Sequence, residues 1–303
     1  MTSSIGRVLV TGASGFIGTH TIPLLTTGGW EVHAVRRAGA GWPTLDRQVT
    51  WYSCDLRQAV EGRALIERVR PTHMLHLAWN AEHGAYWTAA DNDAWAQGTI
   101  ALARAFAAQG GRRFVAAGTC AEYDWTNLAG PCREDQTPCR PQTPYGRAKL
   151  EAATGVMSVA RETGLSVAWG RLFFLYGPGE GARRLIPSVA RALRAGGRAQ
   201  VTTGTQVRDF LHVSDAASAF AELLSHMVTG AVNIGSGVPI SVRGVVEILA
   251  RAAERPDAVD FGAVPMQPGE PPMIVADVQR LESTGWRPRV GLEQGLTAII
   301  EQA

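Results

Sequence analysis

The chain has 303 residues, with 29 basic against 27 acidic side chains and a formal net charge of +2. Near-neutral charge and scattered arginines exclude a nucleic-acid-binding stripe and a polybasic membrane patch. No apolar run approaches the roughly 18 residues of a membrane span. The length suffices for one large domain or two intimate ones. Cys54, Cys120, Cys132 and Cys139 lack Cys-x-x-Cys spacing, so reduced structural thiols are expected, with neither a metal site nor a redox pair. Residues 1–7 run into a strand without a secretory apolar segment, which predicts a cytoplasmic protein.

In chain order, residues 7–11 are an apolar run bounded by turn signals, the pattern of a buried parallel strand. Glycines at positions 12, 15 and 18 follow, framing Ser14, Phe16 and Ile17, and then a helical pattern through Leu25. Gly12 permits a tight turn, and Gly15 lets backbone N–H groups approach a pyrophosphate. Gly18 lets the helix pack on the strand with its positive end toward the phosphates. A strand before and a helix after the loop supply the context for dinucleotide binding. Residues 31–35 read as the second strand, ending in Arg36 and Arg37. An acidic residue there would accept from a ribose 2′-hydroxyl, whereas arginine accommodates a 2′-phosphate. NADP(H) is therefore favoured, with NAD(H) the alternative because arginine also stacks on adenine.

The third strand is expected to end at residues 54–56, placing Asp55 to bond an adenine amino group. Residues 72–79 read as the fourth strand, 93–109 as an Ala-rich helix, and 113–118 as a fifth strand leading into Thr119. Strand and helix alternate to about residue 170. The expected fold is α/β, a Rossmann-like doubly wound parallel sheet. Lys149 is the single lysine of the chain. A chain that otherwise uses arginine keeps a compact ammonium here, four residues after Tyr145 and so on the same helix face. An ammonium beside a phenol favours phenolate, lowering the tyrosine pKa from about 10 toward working pH. Such a phenol is a proton donor and acceptor for carbonyl and alcohol chemistry.

The order of these motifs resembles the extended short-chain dehydrogenase/reductase family, in its NAD(P)-dependent sugar epimerase/dehydratase branch. The matching stretches are residues 11–18, 55–56, 76–78, 119–123, 145–149, 171–178, 208–215, 233–237 and 285–288. The resemblance implies Thr119 as the hydroxyl that bonds the reacting oxygen, Tyr145 as general acid/base, and Lys149 as the partner of the nicotinamide ribose. It implies cofactor contacts from Leu56, Leu77, Ala78 and Trp79, alongside the glycine loop and Asp55. Arg208 matches the arginine that holds a sugar nucleotide's diphosphate; otherwise it would pair structurally with Asp209 or Asp215. Trp79, Asn80, Phe174 and Glu270 are further expected substrate contacts. Two domains are expected. Residues 1–170 plus about 201–235 would bind the dinucleotide, and 171–200 plus 236–303 would form a smaller interleaved substrate lid. The family's pairing of the helices at 93–109 and 147–162 implies a homodimer.

Several positions depart from the family pattern. Cys120 and Ala121 stand where dehydratases carry Asp-Glu, which argues against 4,6-dehydration. Trp95 and Phe174 replace two expected asparagines. Residues 267–270 read Gln-Pro-Gly-Glu in place of Arg-x-Gly-Asp, so the nucleobase need not be uracil. The expected function is hydride transfer on a nucleotide-activated sugar. A reductase of a 4-keto-6-deoxyhexose nucleotide is favoured, a 4-epimerase with retained NAD is the runner-up, and a non-catalytic dinucleotide sensor is the remote alternative.

Overall fold

The computed structural model describes residues 5–36, 48–126, 128 and 130–302; Arg37 lies outside them. The first part alternates β1 (Arg7–Thr11), α1 (Gly18–Thr27), β2 (Glu31–Arg36), β3 (Val49–Ser53), α2 (Ala59–Val69), β4 (His73–His76), α3 (Asn92–Ala108), β5 (Arg113–Thr119), α4 (Pro144–Thr163) and β6 (Ser166–Leu172). It continues through β7 (Phe174–Tyr176), α5 (Leu185–Arg194), β8 (Ala199–Val201), β9 (Val207–His212), α6 (Val213–Ser225) and β10 (Gly230–Ile234). The last part is β11 (Pro239–Ser241), α7 (Val242–Ala252), β12 (Val259–Phe261), β13 (Met273–Ile274), α8 (Gln279–Glu282) and α9 (Leu292–Gln302).

Among the described residues, seven strands form one sheet in the order β10-β6-β5-β4-β1-β2-β3. All its neighbouring pairs are parallel. Such a sheet must be covered on both faces, and its strands are correspondingly apolar; all of β5 is buried. Leu65, Leu102, Phe106 and Val156 of α2–α4 pack on one face. Ile22, Leu25, Phe220 and Leu223 of α1 and α6 pack on the other. The architecture is the Rossmann-like doubly wound sheet. The fourth strand is shorter than its apolar run, because beyond His76 the amides of Leu77 and Ala78 bond the carbonyl and hydroxyl of Thr11. The third strand ends at Ser53, one residue before Cys54.

Within residues 201–235, β10 joins the large sheet and α6 covers it, whereas β8 and β9 join smaller sheets. β9 is flanked by β11, β13 and β7, and β8 pairs with β12. Helices α5, α7 and α9 close a separate apolar cluster through Val189, Leu193, Val245, Leu249 and Leu296. No helix among the described residues is long and apolar enough to cross a membrane. Among them no group of three or more His, Cys, Asp or Glu is placed to hold a metal.

Candidate active site

Strand order reverses between β1 and β4, so the loops after these strands open a crevice at the carboxyl edge of the sheet. Gly12 sits there with φ +66°, and a Cβ on it would lie 2.7 Å from the Ala78 nitrogen. Only glycine fits both the conformation and the approach. A Cβ on Gly18 would lie 2.3 Å from the Gly12 carbonyl, so that glycine lets α1 start directly against the turn. Ser14 and Gly15 are exposed. The first turn of α1 has neither an acidic residue nor a side-chain cap, so no side chain competes with an anion for the positive end of the helix. Phe16 and Ile17 are half-buried beside them. This cradle fits a dinucleotide pyrophosphate.

A buried polar chain fixes the crevice. His76 Nδ1 lies 2.8 Å from Thr11 Oγ1 and its Nε2 2.9 Å from Thr99 Oγ1. Thr99 donates to the Trp95 carbonyl, so it accepts from Nε2–H, and Nδ1 accepts from Thr11. Burial lowers the His76 pKa to about 3, with the Lys149 charge adding to it, so the ring is neutral. Thr11 Oγ1 in turn accepts from the Ala78 amide at 3.2 Å. Loop, strands and α3 are thereby locked together.

Thr119 ends β5 and caps the short turn Cys120–Glu122, its Oγ1 accepting from the Ala121 amide at 3.2 Å. Its own amide donates to Glu122 Oε1 at 2.9 Å. Glu122 is fully buried, and its Oε1 also accepts from the Trp169 indole at 2.9 Å. Oε2 pairs with Arg171 at 2.8 Å. Arg171 continues to the Tyr123 hydroxyl at 3.0 Å and the Cys139 sulfur at 3.1 Å. A buried pair saturated in this way holds its geometry. It is the frame on which Thr119 stands.

Tyr145 and Lys149 come from the first two turns of α4. Thr143 caps this helix by accepting from the Gly146 amide at 3.0 Å, and Pro144 takes the first position. A Cβ on Gly146 would meet the Ala121 carbonyl at 2.3 Å. The glycine after Tyr145 thus lets α4 begin against the Thr119 turn and sets the phenol beside the Thr119 hydroxyl. Three rings enclose Tyr145 edge to face, with centroids at 4.8 Å (Tyr86), 5.7 Å (Trp87) and 6.3 Å (Trp79).

The electrostatics differ from the expectation. Lys149 is 3% exposed. Its Nζ donates to the Ala117 carbonyl at 2.8 Å and lies 3.8 Å from the centre of the Trp79 ring. Burial lowers its pKa to about 7, against an opposing pull from Glu122. The phenol of Tyr145 is pushed above its ordinary range, chiefly by burial and then by Tyr86; the Thr119 hydroxyl pulls it back by hydrogen bonding. The phenol is therefore protonated at neutral pH. The ammonium spends itself on a carbonyl and an indole face.

The remaining expected residues divide. Leu77 and Ala78 border the glycine turn, and Leu56 is buried behind β3. Arg36 ends β2 opposite Ser53, one position beyond the pairing of Val35 with Thr11, which brings it beside Gly12. Asp55 binds Arg57 through both oxygens, at 2.9 and 2.8 Å. Asn80 bonds Asp91 at 3.2 Å. Arg208 and Glu270, separately expected at a substrate, form an ion pair at 2.8 Å. Arg208 also donates to the Pro271 carbonyl and covers the Phe174 ring at 5.5 Å. Neither Asp209 nor Asp215 holds it: Asp209 accepts from the amides of Ser236, Gly237 and Ala276, and Asp215 from those of Arg289 and Val290. Sequence reasoning passed over Glu122, Arg171 as its partner, and Asn92. Arg171 carries a signal in hindsight, since a charged residue inside the otherwise apolar β6 needs a partner; Glu122, in the turn after β5, carries none.

A family model for the NAD dependent epimerase/dehydratase family matches residues 8–235. The chain belongs to this family. It is an enzyme of the short-chain dehydrogenase/reductase type, and a pyridine nucleotide cofactor goes with the family and with the cradle at Gly12. UDP-glucose 4-epimerase of Streptomyces lividans is 29% identical over 315 residues, covering 93% of this chain and 92% of the relative. GDP-6-deoxy-D-mannose reductase of Pseudomonas aeruginosa is 32% identical over 178 residues, covering 56% of this chain and 58% of the relative. Among solved structures, MoeE5 in complex with UDP-glucuronic acid and NAD is 32% identical, covers 98% of both chains and superimposes with a TM-score of 0.82.

Proposed function

We propose that this family member is an oxidoreductase of a nucleotide-activated sugar whose net reaction is reduction, favouring a 4-keto-6-deoxyhexose nucleotide and NADPH. The observation that carries the reading is the phenol of Tyr145, enclosed by three rings beside the Thr119 hydroxyl at the crevice, and Arg36 beside the glycine turn supports reduction with NADPH. A bound NADPH supplies the hydride. Thr119 bonds the keto oxygen and orients it. Tyr145 gives its proton to that oxygen as the alcohol forms. Lys149, in its place over Trp79, would bond the nicotinamide ribose, and its charge lowers the cost of the phenolate left behind. The glycine loop carries the pyrophosphate, and Arg36 with Arg37 receives the 2′-phosphate. Asp55 lies on the adenine side. Arg208 is the diphosphate ligand, released from Glu270 when substrate binds, while Trp79, Asn80 and Phe174 wall the sugar.

In this reading residues 171–200 and 236–303 form the lid over the dinucleotide domain. The protein works in the cytoplasm as a homodimer joined through α3 and α4. A second reading is supported by the S. lividans relative, which matches nearly the whole chain: a UDP- or dTDP-sugar 4-epimerase that keeps NAD. Purified protein separates the two. Stoichiometric consumption of added NADPH with a 4-keto-6-deoxyhexose nucleotide is expected for the reductase. Interconversion of UDP-glucose and UDP-galactose without added cofactor, by protein carrying tightly held NAD, would establish the epimerase instead.

A further inference from the structure

Asn92, the first residue of α3, is 2% exposed and makes no cap for its own helix. Both ends of its amide are used elsewhere. Oδ1 accepts the indole N–H of Trp79 at 3.0 Å, and Nδ2 donates to the Tyr86 carbonyl at 2.9 Å. The partners fix this orientation: an indole nitrogen only donates and a carbonyl only accepts, so the flipped amide would lose both bonds. One side chain thus pins two points of the segment that follows β4. Those two points carry rings that touch Lys149 and Tyr145. Trp79 lies under the Lys149 ammonium at 3.8 Å, and Tyr86 meets the Tyr145 ring edge to face at 4.8 Å. Trp95, one turn along α3, stacks on Trp79 at 6.1 Å and supports the indole from the side.

We propose that Asn92 is a positioning residue of this active site: by fixing Trp79 and Tyr86 it sets where the Lys149 ammonium and the Tyr145 phenol rest. Its importance for turnover rests on the catalytic reading of those two residues, whereas its geometric content does not. A buried amide that served only to fill space would be replaced by leucine, which has nearly its shape, without moving Lys149. An amide that aims the indole would not.

The single lysine makes this measurable. Protein grown on isotope-labelled lysine shows one side-chain Cε–Hε resonance, that of Lys149, and an indole face beside it shifts the Hε protons upfield. Trp79→Leu defines the position without the ring. In Asn92→Leu the resonance is expected to move most of the way to that position. In Asn92→Asp, which keeps the acceptor for the indole, it is expected to stay near wild type. Should Asn92→Leu not fold, Asn92→Ala carries the same expectation. Dinucleotide affinity, measured by calorimetry with NADPH, should weaken about fivefold in Asn92→Leu, the value of the one hydrogen bond to the nicotinamide ribose that a displaced Lys149 loses. A Lys149 resonance in Asn92→Leu that coincides with wild type overturns the proposal. Full turnover in Tyr145→Phe would instead refute the catalytic reading and leave this resonance shift standing.

Discussion

The ammonium of Lys149 rests on the indole face of Trp79, 3.8 Å from its centre, with a carbonyl rather than a carboxylate as its hydrogen-bond partner. An indole face and one carbonyl replace little of the water that a lysine loses on burial, and its pKa falls from 10.5 to about 7. In the unfolded chain the amine keeps its proton up to about pH 10. Between these values the unfolded state binds more protons than the folded one, so stability rises with pH across that window. Below about pH 7 the penalty is present in full. Lys149→Met keeps the stem without the charge. At about pH 6.5 it should be more stable than wild type by roughly 2–4 kcal/mol, and the gap should close toward pH 10. Urea denaturation of both proteins across this range checks it; a gap independent of pH would contradict it.

The proposed preference for NADP(H) rests on Arg36 at the end of β2, beside the glycine turn. Arg36→Ala/Arg37→Ala should lose NADPH affinity by about ten- to a hundredfold, the range of one charge-assisted contact, and change NADH affinity little. Calorimetric titration of both cofactors into both proteins decides it. Equal NADPH affinity would remove the basis for NADP(H) preference.

Buried Glu122 holds the Thr119 amide and the Trp169 indole with one oxygen and Arg171 with the other. Arg171→Leu leaves that carboxylate uncompensated and should cost about 3–5 kcal/mol. Adding Glu122→Leu should restore a large part of the loss, because the stranded charge disappears. Denaturant titrations of the two singles and the double form the cycle. Strict additivity would mean that the pair is not coupled.

How much of this was legible beforehand depends on sequence distance. The glycine loop, Thr119 and the Tyr145–Lys149 turn are local patterns, each fixed by a strand end or one helical turn, and the fold brings them to one crevice. Gly146 shows why the local pattern has its form: the residue after Tyr145 must admit the Ala121 carbonyl. The spacing of Tyr145 and Lys149 was legible, but not what the ammonium touches. Its partners come from β5 and from the turn after β4, which no periodicity relates to α4. The same holds for Arg208 with Glu270, 62 positions apart, and for Glu122 with Arg171: the apolar strand marks Arg171 as needing a partner but does not say which. Asn92 carried no signal, since an asparagine at a helix start ordinarily caps it.

A surface groove of about 630 Å³ lies between Ile100 of α3 and Leu150, Thr154 and Gly155 of α4, bordered by Arg147, Glu151 and the segment Arg140, Pro141 and Gln142 before α4. Apolar and small residues on two adjacent helices suit a two-fold pairing with a second copy. Light scattering at micromolar concentration should give the dimer mass. Leu150→Arg should shift it toward monomer without loss of fold, and a monomeric wild type would exclude the pairing.

The central claim is that the phenol of Tyr145 is the proton donor, and Tyr145→Phe tests it most directly, since it removes one oxygen and leaves the three surrounding rings in place. The measurement is the single-turnover rate of NADPH oxidation with a 4-keto-6-deoxyhexose nucleotide, alongside cofactor binding by calorimetry. The account predicts a rate lower by about two to four orders of magnitude, the scale of acid–base catalysis, with cofactor affinity nearly unchanged. Hydride transfer at the wild-type rate in Tyr145→Phe would contradict it.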